Sequence, residues 1–181
     1  MKLTLDQTEM LALWKRRHFI EPLRADCTIE RTDGIDIDAR CREEMRAWYL
    51  DLLRHGPVEV LAPAEIAGEC RAVVSPEGVT ELILPAGVER VLSVQLSGWC
   101  RAATVITDPC HPTVRLQENP FSRGGVEAPV AIWTPGSEVV RLMSAAVAAE
   151  TPVASVRAAV DAGPDLYTCL LYTSPSPRDT R

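Results

Sequence analysis

The side chains able to do covalent or proton chemistry are scattered along the chain. Histidine occurs three times, as His18, His55 and His111, and the cysteines ahead of the last stretch are Cys27, Cys41, Cys70, Cys100 and Cys110. Zinc hydrolysis needs two histidines one helical turn apart with a glutamate between them, and no H-E-x-x-H is present. Cys100, Cys110 and His111 are near enough in sequence to be weighed as metal ligands. No two cysteines form a C-x-x-C pair, however, so a packed cysteine pair beside a turn histidine is the favoured reading. A strained nucleophilic serine would need G-x-S-x-G, which is absent, and nothing singles out a cysteine or histidine as nucleophile. Nucleotide binding would use a glycine-rich turn whose amides face phosphates, yet neither G-x-G-x-x-G nor G-x-x-x-x-G-K occurs. The sequence thus offers no catalytic residue, metal ligand or cofactor site.

Contact chemistry is better represented. Arg115 to Gly125 reads RLQENPFSRGG, uniting two arginines, an aromatic ring and a Gly-Gly pair, a composition found where loops dock onto partners. Arg115, Phe121 and Arg123 are therefore the candidate interface residues, with a plain crossover between strands as the competing reading. The amides of Arg123-Gly124-Gly125 also suggest a weak anion nest. Asp33-Gly34-Ile35-Asp36-Ile37-Asp38 superficially resembles a calcium loop, but its glycine comes too early and no closing glutamate follows. Asp36 reads instead as a helix cap. His55, at the end of a helix, reads as a capping imidazole, and Cys41, on an apolar helix face, as a small packed hydrophobe.

These residues hang on elements legible from periodicity. Thr4 and Gln7 have capping-box spacing, and Met10, Leu13, Trp14 and His18 recur at helical intervals, which predicts a helix from about Leu5 to His18 that Pro22 stops. A second helix is predicted from about Ile37 to Arg54, with an apolar stripe of Ile37, Cys41, Met45, Trp48, Tyr49, Leu52 and Leu53, and Gly56-Pro57 to end it. Trp48 is the expected core anchor of this pair, packed with Met45, Leu52 and Trp14. From about Glu69 the period turns to alternation. Arg71 to Ser75 and Val79 to Leu84 flank a Pro76-Glu77-Gly78 turn as a hairpin; Val88 to Leu96 and Arg101 to Thr107 follow, linked by Ser97-Gly98-Trp99. Thr113 to Glu118 fits one helical turn, Pro129 to Trp133 and Glu138 to Met143 fit strands, and Val153 to Val160 favours extended chain over helix because Pro152 breaks the preceding alanine-rich run. Asp165 to Thr168 begins a further element.

Composition bounds the partners. With 19 basic and 25 acidic residues the net charge is −6, and only Lys2 and Lys15 are lysines, which argues against a surface for bare nucleic-acid backbone. No apolar run of about 18 residues exists and no charged-then-apolar leader opens the chain, so the expectation is a reduced compartment and no membrane.

The step LPAGVERVLSVQLSGW (Leu84 to Trp99), followed by APVAIWTPGSEVVRLMS (Ala128 to Ser144), resembles the layout of tailed-phage head–tail adaptor or tail-tube connector proteins over roughly Arg40 to Ser144. That resemblance implies a non-enzymatic virion structural protein, found in the host cytoplasm during assembly, forming a ring with copies of itself and docking virion proteins such as a portal. The expected fold is α+β, an N-terminal helical pair (1–62) followed by an antiparallel β-sandwich-like part (63–168). In that family further helices follow the β part. Cys169 to Asp179, CLLYTSPSPRD, resembles one translated frame of sequencing-adapter DNA, so 169–181 reads as a non-native tail with no packed contacts on a C-terminally truncated gene fragment. The alternatives are a small cysteine- or histidine-dependent hydrolase and a host accessory binding domain.

Overall fold

The computed structural model describes residues 2–18, 20, 34–74, 79–119, 121–143 and 152–170, which form an α+β protein. In chain order the elements are β1 (Lys2–Asp6), α1 (Gln7–Arg17), α2 (Ile37–His55), β2 (Ala64–Glu65), a 3-10 turn (Ala67–Glu69), β3 (Arg71–Val74) and β4 (Thr80–Ile83). There follow β5 (Val88–Leu96), β6 (Thr104–Ile106), α3 (Pro112–Glu118), β7 (Val130–Trp133), β8 (Val139–Leu142), β9 (Val153–Val160) and β10 (Leu166–Leu170). Two compact units result, Met1–Ala62 with Ala162–Arg181, and Pro63–Asp161.

In the first unit α1 begins two residues later than its periodicity suggested. Thr4 lies in β1, paired with Thr168 of β10, and the capping box is Asp6 with Glu9: Asp6 Oδ1 accepts from the Glu9 amide at 2.8 Å and Glu9 Oε2 from the Asp6 amide at 3.1 Å. An aspartate with a glutamate three residues on satisfies both orphan donors, so the ladder is free to claim Thr4. For α2 the expected punctuation holds. Asp36 Oδ1 accepts from the Asp38 and Ala39 amides at 2.9 and 3.0 Å, and the Gly56 amide closes on the Leu52 carbonyl at 2.8 Å.

The buried stripe of α2 is Cys41, Met45, Tyr49 and Leu53, one residue per turn. Trp48 is not the expected core anchor, because it is 46% exposed. Its ring does meet Trp14, at 5.7 Å between centroids. The reason is angular: a strict i, i+4 stripe turns its centre toward Tyr49 and leaves Trp48, about 100° away, on the shoulder of the contact. Tyr49 faces the β1/β10 ribbon, where its hydroxyl accepts from the Thr168 amide at 2.9 Å and donates to the Thr168 carbonyl at 3.2 Å.

The ribbon also corrects the expectation for the tail. Cys169 and Leu170 pair with Leu3 and Lys2, so these two residues do make contacts; 171–181 lie outside the described residues. A ladder is built from main-chain groups that every residue but proline carries in full, which lets it take in Cys169 and Leu170 without requiring particular side chains.

The second unit is a sandwich of two sheets, ordered β2-β9-β5 and β3-β4-β8-β7-β6. Leu82, Ala131, Trp133, Val140 and Leu142 from the larger sheet share one core with Val91, Val94, Leu96, Val156 and Ala158 from the smaller. The hairpin expected around 76–78 is seen as β3 and β4 in antiparallel register, Val74 opposite Thr80, its turn lying outside the described residues. β5 does not alternate simply. A register shift between Val91 and Ser93 inserts a residue, so Val91 and Val94, three apart, both face the core. Glu65 binds strand β9: its Oε1 accepts from the Val156 amide and its Oε2 from the Ser155 hydroxyl, both at 2.6 Å. Trp133, 1% exposed, donates its indole N–H to the Ser137 carbonyl at 2.9 Å, so the ring is buried with its one polar atom satisfied. Among the described residues no helix is long and apolar enough to cross a membrane.

Candidate functional site

One pairing departs from an antiparallel sandwich and creates the site. β6 runs parallel to β7, with Thr104, Val105 and Ile106 opposite Val130, Ala131 and Ile132. Parallel neighbours need a long crossover, and residues 107–129, containing α3, are that crossover. The segment carrying Arg115, Phe121 and Arg123 is therefore a crossover between strands.

Its first half is a capped turn. Asp108 Oδ1 accepts from the Cys110 amide at 2.8 Å, and His111 Nδ1 accepts from the Thr113 amide at 3.2 Å to cap α3. Pro112 stands at the helix start, where its missing N–H costs nothing. The second half is held by side chains that sequence reasoning passed over. Gln117 is 3% exposed; its Oε1 accepts from the Gly124 amide at 3.0 Å and its carbonyl accepts from Arg123 Nε at 2.8 Å. Ser122 Oγ donates to the Leu116 carbonyl at 2.6 Å, and Asn119 Oδ1 accepts from the Phe121 amide at 3.0 Å.

The three candidate residues thus separate. Phe121 is 100% exposed and Arg115 is exposed, whereas Arg123 is half-buried with its Nε turned onto the loop's own backbone. The suggested nest at Arg123-Gly124-Gly125 has its Gly124 amide already occupied by Gln117. Leu116 joins Phe121 as an exposed apolar residue, at 54%. A signal for Gln117 did exist: it falls three and four residues after Val114 and Thr113 on the inward face of α3, a position ordinarily apolar.

Beside this loop a groove of about 480 Å³ runs along β6. Ile106 and Val130 are its buried apolar lining and Val105 its half-buried one, while Arg101, Asp108 and His111 are exposed around it.

Elsewhere His18 and His55 have local structural partners. His18 stacks on Trp14 at 4.5 Å, and His55 Nδ1 lies 2.8 Å from Asp51 Oδ1 within the last turns of α2. Cys41 is buried on its helix as expected, but Cys100 and Cys110 are not the packed pair foreseen; both are free and exposed. Cys110 sits in the exposed Asp108–His111 turn, and Cys100 has its amide bound to the Val126 carbonyl at the foot of the crossover. Cys70 is half-buried, and burial first, then the charges of Glu69 and Glu65, pushes its thiol up to about 11, which suppresses the nucleophilic thiolate at neutral pH. Burial raises the Cys169 thiol as well. Among the described residues no three His, Cys, Asp or Glu side chains are grouped to hold a metal ion. Compared with known proteins, the chain matches no family model and no curated protein.

Proposed function

We propose that this protein is a structural component that works by self-association through its crossover loop. The observation that carries the reading is Phe121, wholly exposed on a loop tied down by Gln117, Asn119, Ser122 and Arg123. An aromatic ring on a preorganised loop has already met much of the ordering cost of association, and rings and arginines are the side chains that anchor interfaces. The strand layout that resembles head–tail connectors extends this reading to a virion: a ring of copies, with a portal among the docking partners.

The test is sizing by light scattering across protein concentration, alone and with a candidate portal. Wild type is expected to associate, and Phe121→Ala and Arg115→Glu to weaken association without changing the far-UV circular dichroism. Arg123→Glu is the less clean variant, since Arg123 also holds the Gln117 carbonyl. A wild type that stays monomeric under both conditions overturns the proposal.

A further inference from the structure

The self-association reading leaves open what receives Phe121, and the same unit carries a candidate. Head-to-tail contacts need two different complementary patches on one molecule, and two-fold contacts need a patch that recognises its own copy. Phe121 with Leu116 is an apolar projection; the groove along β6 is a recess with Val105, Ile106, Ala128 and Val130 as its apolar lining among polar and charged residues, and its 480 Å³ lies in the size range of pockets that bury small ligands. Their charges are complementary as well. Arg115 and Glu118 are exposed beside the projection, and Asp108 and Arg101 are exposed beside the recess. β6 is also the edge strand of its sheet, the position at which a second chain most readily docks.

We propose that the groove along β6 receives Phe121 of a second copy of this chain, with Arg115 and Glu118 of the incoming loop meeting Asp108 and Arg101 of the groove. A phenyl ring seated on Ile106 and Val130 leaves water, and the opposite charges fix the register of the two copies. The inference rests on the self-association reading and names its second surface.

The groove can be filled without touching the core. Ala128 is exposed and lines the groove, and its backbone amide is bonded to the Gly125 carbonyl, a contact that does not involve its side chain. Ala128→Trp is therefore expected to fold normally and to block the recess; Thr104→Lys, at another exposed lining residue, is the second blocking variant. Each blocking variant, like Phe121→Ala, is expected to raise the dissociation constant about 30-fold or more, the size of losing an aromatic anchor. Mixing Phe121→Ala with Ala128→Trp should restore a single contact and give a two-copy species that grows no further, because one copy supplies the ring and the other the open groove. The swap Arg101→Glu with Glu118→Arg in one chain should recover part of what either change alone loses.

Each outcome has a distinct meaning. Association of wild type that neither blocking variant weakens overturns the groove while leaving self-association standing. Loss in the single variants without recovery on mixing also overturns the pairing of ring and groove. A monomeric wild type sinks the self-association reading and this inference with it.

Discussion

Replacing Tyr49 by phenylalanine removes one oxygen atom and leaves every other packing contact in place. The ring is 2% exposed and sits 4.9 Å from the Tyr167 ring in an edge-on arrangement that phenylalanine can keep. The hydroxyl takes from the Thr168 amide at 2.9 Å and gives to the Thr168 carbonyl at 3.2 Å. In an antiparallel ribbon both main-chain groups of one residue point to the same edge, so these face away from β1 and Tyr49 stands where a third strand would be. Tyr49→Phe strands a part-buried donor and acceptor together, a loss of about 1–3 kcal/mol. Tyr49→Ala adds a cavity and should lose about 3–5 kcal/mol. With a urea slope of about 2 kcal/mol/M, the phenylalanine variant should lower the midpoint by roughly 0.5–1.5 M. Tryptophan emission reports it, since Trp14 and Trp48 lie in the same unit, and the Thr168 amide should lose hydrogen-exchange protection selectively. A change below about 0.5 kcal/mol, with Thr168 still protected, would refute the idea that Tyr49 completes the ribbon.

Three further outcomes follow from the geometry. Burial alone would raise the Glu65 carboxyl, but the Ser155 hydroxyl, the Val156 and Ala67 amides and Arg157 together hold it below the ordinary value of 4.5. A depressed acid pKa stabilises the fold above the unfolded value and loses that contribution as pH falls through the folded one. The stability gap between wild type and Glu65→Gln should therefore be full at neutral pH and close below about pH 4.5, and a gap independent of pH in urea melts would count against it. Gly87 has φ +85° and an added Cβ would meet the Asp161 carbonyl at 3.0 Å, so Gly87→Ala should lose about 1–2 kcal/mol and lower Tm by about 2–8 °C; an unchanged Tm contradicts the turn. At pH 8, alkylation mapped by mass spectrometry should label exposed Cys100 and Cys110 well before Cys70, whose thiol stays protonated until pH nears about 11; equal rates would refute its burial.

Local rules carried far into this fold. Asp36 and Gly56 bounded α2 from sequence, the apolar-rich run of Val88 to Leu96 and the valines of Val153 to Val160 after Pro152 marked β5 and β9 at their observed limits, and Thr113 to Glu118 declared its helical turn within one residue. These features are set by caps, proline and side-chain period, interactions that span only a few residues. What the tertiary structure alone decided is which elements meet. Asp165 to Thr168 was read as the start of an element of the β-rich part and Cys169 onward as a tail without contacts, but Leu166 to Leu170 forms one strand that pairs with β1, at the opposite end of the chain; Arg101 to Thr107 was read after β5 in a simple succession but joins β7 in parallel. The ladder itself is made by main-chain groups that nearly every residue shares, so which strands pair is decided by the apolar faces that folding brings together, and no single side chain announces it. The same limit governs the site. Arg115, Phe121 and Arg123 are visible in sequence as a docking composition, yet only the folded crossover buries Gln117, turns Arg123 inward and leaves Phe121 in water beside the groove of β6. Composition declares which side chains are able to make a contact, and exposure, which decides whether they are free to make it, is a property of the neighbours that folding brings.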